Sequence, residues 1–209
     1  STKWINGTAP QTPVVDVARL AVKSRLKTVR RLLKNVRRYW DSEIEHVHQL
    51  RVASRRAEMA IHVFATYLPK KQVRWTKRRL KQFRRAANVA RDVDVLRQRY
   101  QEKPANRSFP APEWEAFLQF LVEQRRAAQV ELGALIDRRS RKTFKRHLVR
   151  LLDDRIKCKN DKLTFRQLAD QALRPLLDDF FQLALRGSSD IESLHRLRIA
   201  GKRIRYVLE

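Results

Sequence analysis

"VHQLRVASRR", residues 47–56, and "LHRLRIAGKR", residues 194–203, are two versions of one phrase written 147 positions apart. At that offset Ser42, Ile44, Glu45, His48, Leu50, Arg51, Ala53 and Arg56 match Ser189, Ile191, Glu192, His195, Leu197, Arg198, Ala200 and Arg203, eight identities in 21 positions. Val52/Ile199 and Arg55/Lys202 are similar in kind, and the same offset relates Arg19/Arg166, Leu26/Leu173 and Lys27/Arg174 upstream. A fixed internal offset is the mark of a duplicated structural unit. Two such units suggest two antiparallel helical bundles facing across a pseudo-two-fold axis.

The rest of the chain supports helices throughout. There are only four glycines in 209 residues, and apolar residues recur at steps of three and four. The periodicity predicts helices at roughly 14–40, 43–67, 70–100, 113–138, 140–157, 164–186 and 190–209, so the fold class is all-α. "QEKPANRSFPAPE", 101–113, carries three prolines and is the best linker. It divides a helical domain at 14–209 into a first bundle at about 14–100 and a second half at about 114–209; residues 1–13 read as a flexible polar arm. Ser42 with Glu45 and Ser189 with Glu192 have the spacing of capping boxes that start the two repeated helices. The first unit runs on for some forty residues past its motif whereas the second stops at Glu209, which leaves the second bundle short of helices.

A wheel of about 100° per residue divides the first motif helix cleanly. Leu50, Ala53, Ala57, Ile61 and Phe64 make a core face, and His48, Arg51, Arg55 and His62 lie opposite, with Glu58 among them. In the second copy Leu197, Ala200, Ile204 and Leu208 form the core face, and His195, Arg198, Lys202 and Arg205 the charged one. The first helix carries Lys23, Lys27, Arg30, Lys34, Arg37 and Arg38 in one stripe, and the third carries Arg74, Arg78, Lys81 and Arg85. A solvated face normally mixes signs, because like charges at i,i+4 repel. Four unipolar stripes cost stability and call for an anion to offset them.

Whole-chain charge agrees: 48 Lys and Arg against 22 Asp and Glu leave a net charge of +26. A polyanionic partner is the natural complement. Arginine forks grip phosphate oxygens bidentately and lysines add point charge, while a histidine among them supplies a directional N–H donor. Cys158 is the single cysteine, so an intrachain disulfide and a cysteine-based metal cluster are excluded. No stretch approaches the length of a membrane span, and the N-terminus has no apolar signal segment. A cytoplasmic protein is expected.

The two His-x-x-Arg helices resemble the signature helices of the CHAD family, the conserved histidine α-helical domain. "ANVARDVDVL", 87–96, is similar to that family's arginine–aspartate stretch. The resemblance spans about residues 15–209. It implies two four-helix bundles with pseudo-two-fold symmetry around a basic central groove that binds inorganic polyphosphate, and association with polyphosphate granules. Carried onto this chain, it makes His48, Arg51, Arg55, Arg56, His195, Arg198, Lys202, Arg203 and Arg205 the polyphosphate-binding set. The wheel adds Lys27, Arg30, Lys34, Arg78, Lys81 and Arg85. Free phosphate or sulfate would fit the same site. Asp92 is expected to orient an arginine by ion pairing. Two features depart from the family pattern. Glu58 stands where arginine is expected, either repelling phosphate or pairing with a neighbouring arginine. The helix that follows "RYVLE" in the family pattern is absent from the sequence; either the second bundle is incomplete in this chain or the sequence is cut there, and a partner chain, as in a homodimer, is one source of the missing helices.

Two other functions compete with this reading. A phosphohydrolase needs converging ligands or carboxylates; the histidines of "HVH", 46–48, point about 200° apart on a helix, and the basic stripes hold few acids. No enzyme activity, metal or cofactor is therefore expected. RNA or DNA binding is licensed by charge alone, but no helix-turn-helix or aromatic RNA-binding motif is present. Tyr39, Trp40, Trp75 and Phe83 are expected on core faces, leaving the basic stripes without stacking rings. Nucleic-acid binding is then incidental, and membrane binding is disfavoured because a bundle consumes the apolar faces.

Overall fold

The computed structural model describes residues 4–39, 44–102, 111–152, 163–187 and 190–209. Among them are seven α-helices: α1 (Val14–Arg38), α2 (Ile44–Val63), α3 (Lys70–Glu102), α4 (Ala111–Leu135), α5 (Arg138–Leu151), α6 (Phe165–Leu185) and α7 (Ile191–Leu208), with a single 3₁₀ turn at Ala65–Tyr67. The chain is all-α. The helices fall close to the sequence-based boundaries; α3 runs into the proline-rich linker as far as Glu102, and α4 starts within it at Ala111. Trp40, Ser42, Cys158 and Ser189 lie outside the described residues.

Local chemistry sets the helix ends. Asp137 caps α5, accepting from the Ser140 amide at 2.6 Å. Thr164 caps α6 in a reciprocal box with Gln167. The expected start of α7 at Ser189 is corrected: the capping residue is Asp190, which accepts from the Ser193 amide at 2.8 Å and from its hydroxyl at 2.7 Å. A carboxylate also suits the positive helix N-terminus better than a hydroxyl does. Gly187, at φ +70°, takes the left-handed conformation just past the end of α6 that a side chain would resist.

Packing joins α1 to α2, α2 to α3 and α3 to both α4 and α5, while α6 pairs with α7. Val22, Leu26, Val29 and Leu33 of α1, Leu50, Ala57 and Ile61 of α2, and Leu80, Phe83 and Ala87 of α3 share one core. The expected core face of α2 is all buried, because its small Ala53 and Ala57 let the neighbouring helices approach. Leu132 and Ile136, at and just past the end of α4, and Phe144 and Leu151 of α5 enter this same core. The stretch 114–151, assigned from the sequence to the second half, therefore packs with the first three helices. Phe83 and Phe144 meet edge to face at 5.6 Å in its centre. Truncating either would cost about 3–5 kcal/mol.

α6 and α7 are built differently. Of their described residues only Ala200 is buried. At Gly201 a Cβ would stand 3.4 Å from the Phe180 ring, which shows how closely the two helices approach. Leu208, placed on the core face by the wheel, is 53% exposed, and Leu185 and Leu194 are exposed as well. Residues 10–13 are not a loose arm. The Phe165 amide donates to the Thr12 carbonyl and the Arg166 amide to Pro10, both at 2.9 Å, so the first turn of α6 uses the arm to satisfy its free amides.

Candidate polyanion-binding faces

The structure brings the two repeated helices together, α7 packing on α2. Their junction is formed by Arg55 and Arg56 of α2 with Tyr206 and Glu209 at the end of α7. Arg56 Nε donates to Glu209 Oε2 at 2.6 Å, and Arg25 of α1 donates to the main-chain oxygen of Glu209. Arg25 is buried, and burial lowers its pKa first, the neighbouring Arg56 second, with Glu209 opposing. Arg25, Arg56, Tyr206 and Glu209 line a cavity of about 300 Å³ whose other walls include Ala21, Ala60, Leu168 and Leu173. Arg56 thus faces inward and holds a carboxylate. It lies about 100° round the helix from Arg55.

Tyr206 sits between the two repeats. Burial alone would raise its pKa, but hydrogen bonds from Arg55 and Arg205 outweigh burial and hold the phenol below 10.0. The Arg205 guanidinium also stands over the Tyr206 ring at 4.8 Å. Arg55 and Arg205 are therefore gathered round one phenol oxygen. The histidines are not at this junction: His48 lies seven residues along α2, about 10 Å, and His195 eleven along α7, about 16 Å.

On α2, His48 and Arg51 are half-buried one turn apart. His48 Nδ1 and Arg51 Nε are both shielded from solvent and have no hydrogen-bond partner among the described residues. Glu58 pairs with Arg84 of α3, which spends its charge locally and ties the two helices together. Arg84 was missed in the sequence because its partner lies 26 residues away on another helix.

The other candidates stand as follows. His195, Arg198, Arg203 and Arg205 are exposed on α7, and Lys202 is half-buried. Arg203 lines a groove with Met59 and His62 of α2. Lys27 and Lys34 are exposed and Arg30 half-buried along α1. Arg78, Lys81 and Arg85 are exposed on α3, and Arg78 stands in a cleft against α5. The ion pair expected at Asp92 is made two residues later. Asp92 is exposed, whereas Asp94 is buried and accepts from Arg125 Nε at 2.6 Å, with Gln129 holding the same guanidinium at 3.0 Å. The helical period explains the shift, because Asp94 follows Ala87 and Ala90 on the core face and Asp92 does not.

The arrangement defines a class of protein: an all-helical domain built around a repeated His-x-x-Arg helix, with solvent-facing cationic stripes. The CHAD domain family model matches residues 20–209, and the chain belongs to that family. It superposes on the crystal structure of the CHAD domain from the plant Ricinus communis with a TM-score of 0.69 and 21% identity, covering 100% of this chain and 68% of that one. At that identity the likeness concerns the fold. A comparison with curated proteins gave no match. Among the described residues no helix is long and apolar enough to cross a membrane.

Proposed function

We propose that this chain binds inorganic polyphosphate, without catalysing its turnover, through the His48/Arg51/Arg55 face of α2 and the His195/Arg198/Lys202/Arg205 face of α7. One observation carries the reading: the His48/Arg51/Arg55 face of α2 repeats 147 residues later on α7, and α7 packs on α2 so that Arg55 and Arg205 meet at Tyr206. A chain of phosphates offers acceptors at every unit and can follow the stripe from one repeat to the next. Arg55, Tyr206 and Arg205 would form its midpoint, where two cations already converge on one oxygen. In a cell such binding would place the protein at polyphosphate granules in the cytoplasm.

The test is displacement of labelled long-chain polyphosphate by unlabelled polyphosphate, poly-U RNA and duplex DNA at matched phosphate concentration and about 0.15 M salt. Polyphosphate is expected to compete best, and changing His48 and His195 to alanine to erode that preference. Equal competition by all three, unaffected by the histidines, would make the repeated phrase a packing unit.

A further inference from the structure

A second basic face lies on the other side of α3. Lys70–Arg91 contain ten Lys and Arg and no acid, and α5 contains seven and no acid. α5 packs on α3 with its apolar Phe144, Leu148 and Leu151 inward. That leaves Arg139, Lys142, Lys145, Arg146 and Arg150 exposed, beside the exposed Lys71, Arg74 and Arg78 of α3. The nearest carboxylate on α5's own end, Asp137, is engaged in capping. Nothing in α5 neutralises this field.

This face also holds a stacked pair of rings. Trp75 and His147 stack at 3.6 Å with their planes within 7° of parallel. Desolvation, then Arg150, Arg146 and Lys71, depress the His147 pKa, so the imidazole is held neutral and flat against the indole. Trp75 packs against the core beside Phe144, as the sequence reading placed it; it is half-buried and also walls a cleft of about 340 Å³. The other walls are Arg78, Arg79 and Arg139 with the uncharged Gln82, Ser140 and Thr143. Arg79 is fixed in place, donating to the Leu135 carbonyl and to Gln82 Oε1, both at 2.9 Å. A bare phosphate chain can use the amide and the two hydroxyls as donors but has no use for an indole. A nucleotide does: its base stacks on a ring and its edges hydrogen-bond to neutral groups, while its phosphates meet cations. The cleft is also of ligand size.

We propose that the α3/α5 face is a second anion surface, separate from the α2/α7 faces, that binds single-stranded nucleic acid. A base sits against Trp75 in the cleft, and the flanking phosphates run over Arg78, Arg139, Lys142 and Arg146.

The test uses a labelled oligouridylate of about 20 nucleotides and labelled polyphosphate, each at about 0.15 M salt. Side chains are replaced on one face at a time, as Arg139→Ala/Lys142→Ala/Arg146→Ala or as His48→Ala/Arg51→Ala/His195→Ala. The first variant is expected to weaken oligouridylate binding about tenfold or more and leave polyphosphate binding within about twofold. The oligouridylate should also quench tryptophan fluorescence, polyphosphate should not, and Trp75→Phe should abolish the quenching while keeping a ring in place. Oligouridylate binding lost only in the second variant, both probes lost together in the first, or quenching that survives Trp75→Phe would each overturn the proposal. Polyphosphate binding in the second variant separately judges the function proposed above.

Discussion

Arg56 Nε and Glu209 Oε2 meet at 2.6 Å, joining the middle of the first repeated helix to the end of the second. The Glu209 carboxylate is 2% exposed, and Arg205 approaches its other oxygen at 3.7 Å. A carboxylate this deep needs its cations, because an unpaired buried charge costs far more than the pair contributes. Arg56→Ala is expected to destabilise the protein by about 3 kcal/mol, read as a lower urea midpoint. Arg55→Ala, one residue away, should cost much less stability.

Tyr206 gives a spectroscopic handle on the same junction. Its folded pKa lies below 10.0, so the folded state favours the phenolate. That contribution to stability is full above pH 10 and is lost as pH falls through the folded value. An absorbance titration of phenolate, taken as the difference between wild type and Tyr206→Phe, should show a midpoint under 10. Removing Arg55 leaves burial to act with less opposition, and the midpoint should rise.

His147 sets a pH dependence at neutral and acid values. Because its folded pKa lies below 6.5, the unfolded chain binds more protons than the folded protein just below that pH. The stability it contributes is present above 6.5 and lost as pH falls toward the folded value. Denaturation midpoints measured from pH 7.5 to 5.5 should decline more steeply for wild type than for His147→Phe, which keeps the stack on Trp75.

Asp94 and Asp92 separate structure from surface. Asp94→Ala leaves Arg125 buried without its anion and should cost about 3–5 kcal/mol in chemical denaturation. Asp92→Ala should stay within about 0.5 kcal/mol of wild type.

The His-x-x-Arg repeat, its offset of 147 and the three-and-four spacing of apolar residues determined the helical class and the outward stripes. These follow from local periodicity: once Leu50, Ala57 and Ile61 are buried, His48 and Arg55 must lie on the far side of α2. Caps were legible only as a kind of residue near a place, since Asp190 and Ser189 are both good formers and backbone geometry chooses between them.

Everything that depends on a second helix was decided by the tertiary structure. The family resemblance gave Arg56 to the same cationic group as Arg55, but Glu209, 153 residues away, draws it inward. Glu58 had two readings until Arg84 came beside it. Tyr206 carried no sequence signal, because its counterpart in the first repeat is Met59. Trp75 packs against the core as its period implies, and the packing of α5 on α3 also sets it against His147 at the edge of a cationic cleft. A sequence specifies which face of a helix is apolar through the fixed angle between successive side chains. Which charges meet across faces depends on how distant helices cross, and that is set by the packing of the whole core.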